Sequence, residues 1–255
     1  MAQHRSRRRR PPTAMLVPVA AAGLTVAAMR ARRHTAHEAD EHTPADVGYM
    51  RAMHDALRRD IDRLDTAARD AQRTTRDLER DWHELRARLE RHHSAEDDDL
   101  WPVLRRHLTA SDELHEVDRM IEEHRALSAA ITDVDRTLAS RTHTGATIGA
   151  LGQALRDHLD HEERSVLPLL ERHLSRVEWR GFLITERRKT PLRERPEFLG
   201  WVLDDANAAD AAAVLSELPP PGRLVYRRII RPRYAAKHPH RHDRGTAHGT
   251  ADVAT

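Results

Sequence analysis

From about Asp46 to Leu174 apolar residues recur in alternating steps of three and four. The first stripe is Val47, Met50, His54, Leu57, Ile61, Leu64, Ala68. The second is Leu78, Trp82, Leu85, Leu89, His92, Glu96. The third is Val117, Met120, His124, Leu127, Ile131, Val134, Leu138, and the fourth is Ile148, Leu151, Leu155, His158, Glu162. This spacing places each set on one face of a helix, so four amphipathic helices are predicted. "TASDEL" and "RTHTG" supply turn and cap residues between neighbours, and the first connection falls around Ala71 to Thr75. Short connections make neighbours antiparallel, so the predicted fold is all-α, an up-down-up-down four-helix bundle.

The pattern changes after Ser175. Trp179, Phe182, Phe198 and Trp201 predict short helices packed on the bundle, a small helical appendage over residues 176–236. "RLVYRRIIRPRY" reads as an amphipathic end helix, and nucleic acid is not an expected partner. The His/Arg/Gly-rich tail, residues 237–255, reads as disordered. At the other end, "RSRRRR" precedes an uncharged stretch, residues 11–29, at the lower length limit for a bilayer span. Three readings of the leader 1–45 stay open: a membrane anchor, a signal peptide, and a disordered segment. The expected location is cytoplasmic, or membrane-anchored if residues 11–29 span.

Composition narrows the chemistry. The chain of 255 residues has no Cys, which excludes disulfides, thiolate metal sites and Cys nucleophiles. Scarce aromatics and abundant Arg, Ala, Leu, Asp and Glu favour helices. A net charge of only +2, with the basic residues concentrated at the two ends, says little about an acidic partner.

The stripes contain residues that do not belong in a core. His54, His92, Glu96, His124, His158 and Glu162 all fall in phase with Leu, Ile and Val. A buried carboxylate is costly unless something pairs with it. Any one histidine alone reads more simply as a hydrogen-bonded core residue; six such residues on four helices do not. His at i and Glu at i+4 lie one above the other on a helix face, so both can reach one metal ion. The chain writes this twice, in "HHSAEDDDLWPVLRRHL" from His92 and "HLDHEERSVLPLLERHL" from His158. The preceding helices repeat too: "HDALRRDIDRLD" from His54 and "HRALSAAITDVD" from His124 share His, Ala, Leu, Ile and the final Asp. A duplicated helix pair predicts a pseudo-two-fold arrangement with one metal near each half. Helical phase leaves His93 and His161 off the stripes, so neither is expected to ligate. Pro102 and Pro168 are expected to end or kink their helices, His107 and His173 to be exposed, and the acidic run 97–99 to be a solvated face.

The pattern H…HxxxE…H…HxxxE, with "LWP" or "VLP" after each HxxxE, resembles the bacterial hemerythrin-like domains, also called HHE cation-binding domains. The resemblance runs from His54 to roughly His173 and places the bundle at residues 46–175. It implies a non-haem di-iron centre of two iron ions, with His54, His92, His124 and His158 as ligands and Glu96 and Glu162 as bridging carboxylates. Oxygen-carrying members have a further His one turn after the third-helix His, where this chain has Ser128. They also use an Asp five residues after the last His, where Glu163 stands beside Glu162. The expected function is binding or sensing of oxygen or a related redox ligand, a small diatomic or peroxide, or the holding of iron. A di-iron oxidoreductase that destroys peroxide or nitric oxide is the alternative. A metal-free interaction protein does not explain the in-phase glutamates.

Overall fold

The computed structural model describes residues 42–70, 72–142 and 144–238. The leader and tail readings therefore lie almost wholly outside the described residues. Among the described residues the regular elements are helices, and none is long and apolar enough to cross a membrane.

Four long segments carry the molecule: α1 (Gly48–Arg69), α2 (Thr75–Ala95), α4 (Ser111–Ser140) and α5 (Thr144–Ser165). Two of them begin or end on local chemistry. Thr74 caps α2 by accepting from the Asp77 backbone N–H. Arg141, left-handed at φ 57°, closes α4 and turns the chain toward α5. The α1 helix packs on both α2 and α5, and α4 packs on α5 and α2.

The two repeated prolines act differently. Pro102 has no N–H and its ring crowds the carbonyl four residues back. The chain answers by widening one turn into a π-helix over Glu96–Leu100, in which the Trp101 N–H reaches the Glu96 carbonyl. It then continues as α3 (Trp101–His107). At Pro168 the helix instead breaks at Val166, whose N–H bonds the Glu162 carbonyl at 2.8 Å, and restarts as α6 (Leu167–His173). The first disruption begins at the glutamate of its HxxxE, the second four residues beyond it.

Further along come α7 (Arg176–Lys189), α8 (Arg195–Val202), α9 (Ala208–Ser216) and α10 (Pro220–Val225). A second π turn, Tyr226–Ile230, leads into α11 (Arg231–Lys237). It too stands just ahead of a proline, Pro232. A capping box between Ser175 and Glu178 starts α7. Trp201, fully buried, docks α8 on the long helices: its Nε1 donates to Asp60 Oδ2 at 2.8 Å, and the Arg88 guanidinium lies 4.6 Å from its ring centre.

Buried side chains form two apolar clusters. One holds Leu57, Ile61, Leu85, Leu89, Leu127, Ile131, Leu151 and Leu155 with Trp201. The other holds Met50, Leu100, Trp101, Met120, Val166 and Trp179. Along every long helix, the stripe histidines and glutamates fall between the residues of one cluster and those of the other. The polar residues thus form a single buried layer between two apolar ones.

Candidate metal centre

The six stripe residues converge in that layer. His54, Glu96 and Glu162 have no solvent exposure, and His92, His124 and His158 are buried. The His54 Nε2 stands 3.3 Å from Glu162 Oε2. The His92 Nε2 stands 3.3 Å from Glu96 Oε1, and the His124 Nε2 stands 3.4 Å from Glu96 Oε2. The two oxygens of Glu96 therefore face different histidines. The donor atoms fall into two groups, each within 4.8 Å: His54, His92, Glu96 and Glu162 in one, His93, His124 and His158 in the other.

His93 is the residue that helical phase misplaces. It is buried, and its ring stacks on His124 with centres 4.1 Å apart and planes 16° apart. The correction has a simple cause. A single stripe describes a helix that faces one neighbour, but α2 touches α1 on one side and α4 on the other. Adjacent residues point about 100° apart on a helix, so His92 turns to His54 on α1 and His93 turns to His124 on α4. The equivalent position in the second repeat is Leu159, fully buried. His161 stays at the margin, held between Glu123 Oε1 at 2.8 Å and Glu116 Oε2 at 2.9 Å.

The imidazoles are aimed from behind. His54 Nδ1 bonds Glu163 Oε1 at 2.9 Å, His124 Nδ1 bonds Asp97 Oδ1 at 2.8 Å, and His158 Nδ1 bonds Glu123 Oε2 at 2.9 Å. A carboxylate accepting from Nδ1–H fixes the tautomer whose Nε2 carries a free lone pair. Asp97 and Glu163 each stand five residues after the second histidine of their repeat, so the support obeys the pseudo-two-fold repeat as well. The acidic run 97–99 is accordingly not a plain solvated face: Asp97 holds His124, and Asp99 pairs with Lys189. Glu163 likewise faces His54 and Arg58, while Glu162 turns into the layer. His107 is exposed, as expected, and pairs with Glu178, while His173 is half-buried and pairs with Glu113.

Electrostatics follow from burial. Burial, with the neighbouring imidazoles, holds His92 and His93 well below the usual histidine range. Burial also lowers His158 against the pull of Glu123. Burial opposes charge on His54 as well, but Glu162 and Glu163 outweigh it and push it up to about 9. Burial pushes Glu96 well above the carboxylate range, helped by Glu162 and Asp97. Glu162 is lowered because His54 outweighs its burial. Without cations, burial thus disfavours charge on Glu96, while His54 and Glu162 favour charge on each other.

The donor set fits metal ions. The Nε2 atoms of His54, His92, His93, His124 and His158 are buried with no hydrogen-bond partner, and so are both oxygens of Glu96 and of Glu162. Buried polar atoms in folded proteins are almost always paired, and so many orphans in one layer are what imidazole and carboxylate ligands look like with the cations removed.

Helices around such a layer, among the described residues, define the class of helical proteins with a candidate cation site. Residues 45–170 match the family model of the hemerythrin HHE cation binding domain, and over this segment the chain belongs to that family. No curated protein and no solved structure matches the chain.

Proposed function

We propose that this chain is a non-haem di-iron protein whose four long helices form the up-down-up-down bundle of its family and hold two iron ions in the buried layer. One ion would be held by His54 and His92 and the other by His93, His124 and His158, with the carboxylates of Glu96 and Glu162 available as further ligands. His93 stands in for the third-helix histidine that this chain replaces with Ser128. The observation that carries this reading is the set of unpartnered, buried Nε2 and carboxylate oxygen atoms.

Iron in such a site supplies a redox-active Lewis acid for a small ligand such as a diatomic or a peroxide. The chain's own residues do the rest. The carboxylates on Nδ1 keep the imidazoles basic and oriented, and the apolar clusters on either side keep bulk water away. Binding or sensing of a redox ligand, or holding of iron, is the favoured reading, and turnover of peroxide or nitric oxide is the alternative.

The test is anaerobic loading of metal-free protein with ferrous iron, read as iron per chain. Two equivalents are expected for the natural chain and about one or fewer for Glu96→Ala. Failure to retain iron, or full loading of both Glu96→Ala and Glu162→Ala, would overturn the assignment.

A further inference from the structure

A cavity of about 650 Å³ opens between the long helices and the C-terminal ones. Its size is that of a small-molecule pocket, and it lies at a junction of packed units, where such pockets concentrate. Its apolar wall is built by Met50 and Met53 of α1, Phe182 and Leu183 of α7, and Phe198 and Leu199 of α8. Methionine, unbranched and polarizable, adapts to flexible apolar ligands. Ile184, also in the lining, is 39% exposed, an apolar side chain left at the opening.

The polar residues of the lining are unbalanced: six are arginines and two are glutamates. Both glutamates are already matched, Glu217 by Arg180 at 3.3 Å and Glu186 by Lys189 at 3.0 Å. Some of the arginines are committed as well. Arg88 holds Asp60 at 2.6 Å, and Arg223 donates to the Leu218 and Ser216 carbonyls. Arg187 is different. It is exposed and, among the described residues, has no hydrogen-bond or ion-pair partner. Inside the cavity, burial raises the Tyr49 phenol far above its usual range, so its hydroxyl stays a donor, and it too has no partner among the described residues.

We propose that this cavity binds an amphiphilic monocarboxylate, a fatty acid of medium chain length. The hydrocarbon chain lies among Met50, Met53, Phe182, Phe198 and Leu199, and the carboxylate pairs with Arg187 at the rim. An apolar interior lined by more arginines than glutamates, with the unpartnered Arg187 among them, selects against the two nearest alternatives. A neutral alcohol leaves the guanidinium without its anion, and a cationic amphiphile meets like charge. Of the proposed iron ligands, only His92 touches the cavity. None of the contacts assigned to the acid involves His92, so binding is expected with or without iron and the two readings fail separately.

The test is calorimetric titration of the full-length protein with decanoate, decanol and decyltrimethylammonium below their micellar concentrations, with and without iron. One decanoate per chain is expected in both states, at least tenfold tighter than either of the other two probes. Arg187→Glu, a change at an exposed and unpartnered position, should weaken decanoate at least tenfold with an unchanged circular dichroism spectrum. Ile184→Trp, which narrows the mouth, should also weaken it. Absence of saturable decanoate binding, equal affinity for decanoate and decyltrimethylammonium or decanol, or an Arg187→Glu variant that binds decanoate as the natural chain does would each overturn the proposal.

Discussion

The imidazole of His93 lies flat on that of His124, with ring centres 4.1 Å apart, and the Nε2 of each is buried without a hydrogen-bond partner. His124 keeps its Nδ1 on Asp97, but the Nε2 left without a hydrogen bond on each ring is costly inside a protein. On the proposed reading the pair supplies two donors to one cation, with His158 as the third.

His93→Ala should therefore lower iron from about two equivalents to about one, while His161→Ala keeps both. His161 spends both ring nitrogens on Glu116 and Glu123. Metal analysis after desalting decides it. Two retained equivalents in His93→Ala would return that residue to a packing role.

The carboxylates behind the rings offer a second check. Asp97→Ala removes the acceptor from His124 Nδ1, and Glu163→Ala removes it from His54 Nδ1. Loss of such a support lowers metal affinity by about 10- to 100-fold in comparable sites. Competition with a chromophoric chelator measures it. Unchanged affinity in both variants would show that the packing around the rings suffices to aim them.

The two inward glutamates should respond oppositely to neutralisation in metal-free protein. Glu96 has burial against it and no cation nearby that favours its charge. Glu96→Gln should therefore raise the apoprotein melting temperature by about 2–4 °C for each kcal/mol relieved. Glu162 is the counter-ion of His54. Glu162→Gln strands that imidazole and should lower the melting temperature. Both variants should bind iron more weakly. Thermal unfolding in the presence of a chelator tests the signs, and a shared sign would show that burial at Glu96 and His54 beside Glu162 do not set the two carboxyls apart.

The same ion pair sets a pH dependence. The His54 pKa is raised to about 9 by Glu162 and Glu163 against its burial, from about 6.5 in an unfolded chain. The folded state holds the extra proton between those values. The stabilisation is therefore complete below about pH 6.5 and disappears as pH rises through about 9, an amount on the order of 3 kcal/mol. Melting temperatures of the metal-free protein should fall from pH 7 to pH 10, and His54→Gln should flatten that limb. An equally steep fall in the variant would assign the effect to other groups.

The C-terminal helices dock by close approach. A Cβ on Gly200 would meet the Tyr234 ring at 2.6 Å, and one on Gly48 would meet Ala213 Cβ at 2.5 Å. Overpacking of this kind costs about 1–3 kcal/mol. Gly200→Ala and Gly48→Ala should each destabilise by that order in denaturant unfolding, with iron content unchanged. Loss of iron in Gly200→Ala would tie the docking of α8 to the shape of the metal layer.

Much of this was legible in the chain itself. Helical period follows from local geometry and the need to hide apolar side chains, so the stripes locate the four long helices, and residues that break the stripe, such as Glu96 and Glu162, announce themselves. The repeat of HxxxE names the residues that converge. What a period cannot carry is how many neighbours a helix has. Whether His93 is inside depends on α4 lying against the far side of α2, and that Leu159 rather than a histidine fills the matching place shows that the two halves are not equal. The period does pick Glu162 over the adjacent Glu163, but it cannot show that Glu163 is taken up by His54 and Arg58, residues more than a hundred positions away. The cavity and its unmatched Arg187 depend on how α7 and α8 fold back on α1, contacts distant in sequence that no local pattern encodes. Periodicity is a property of one helix, while a site is a property of the surfaces that several helices share.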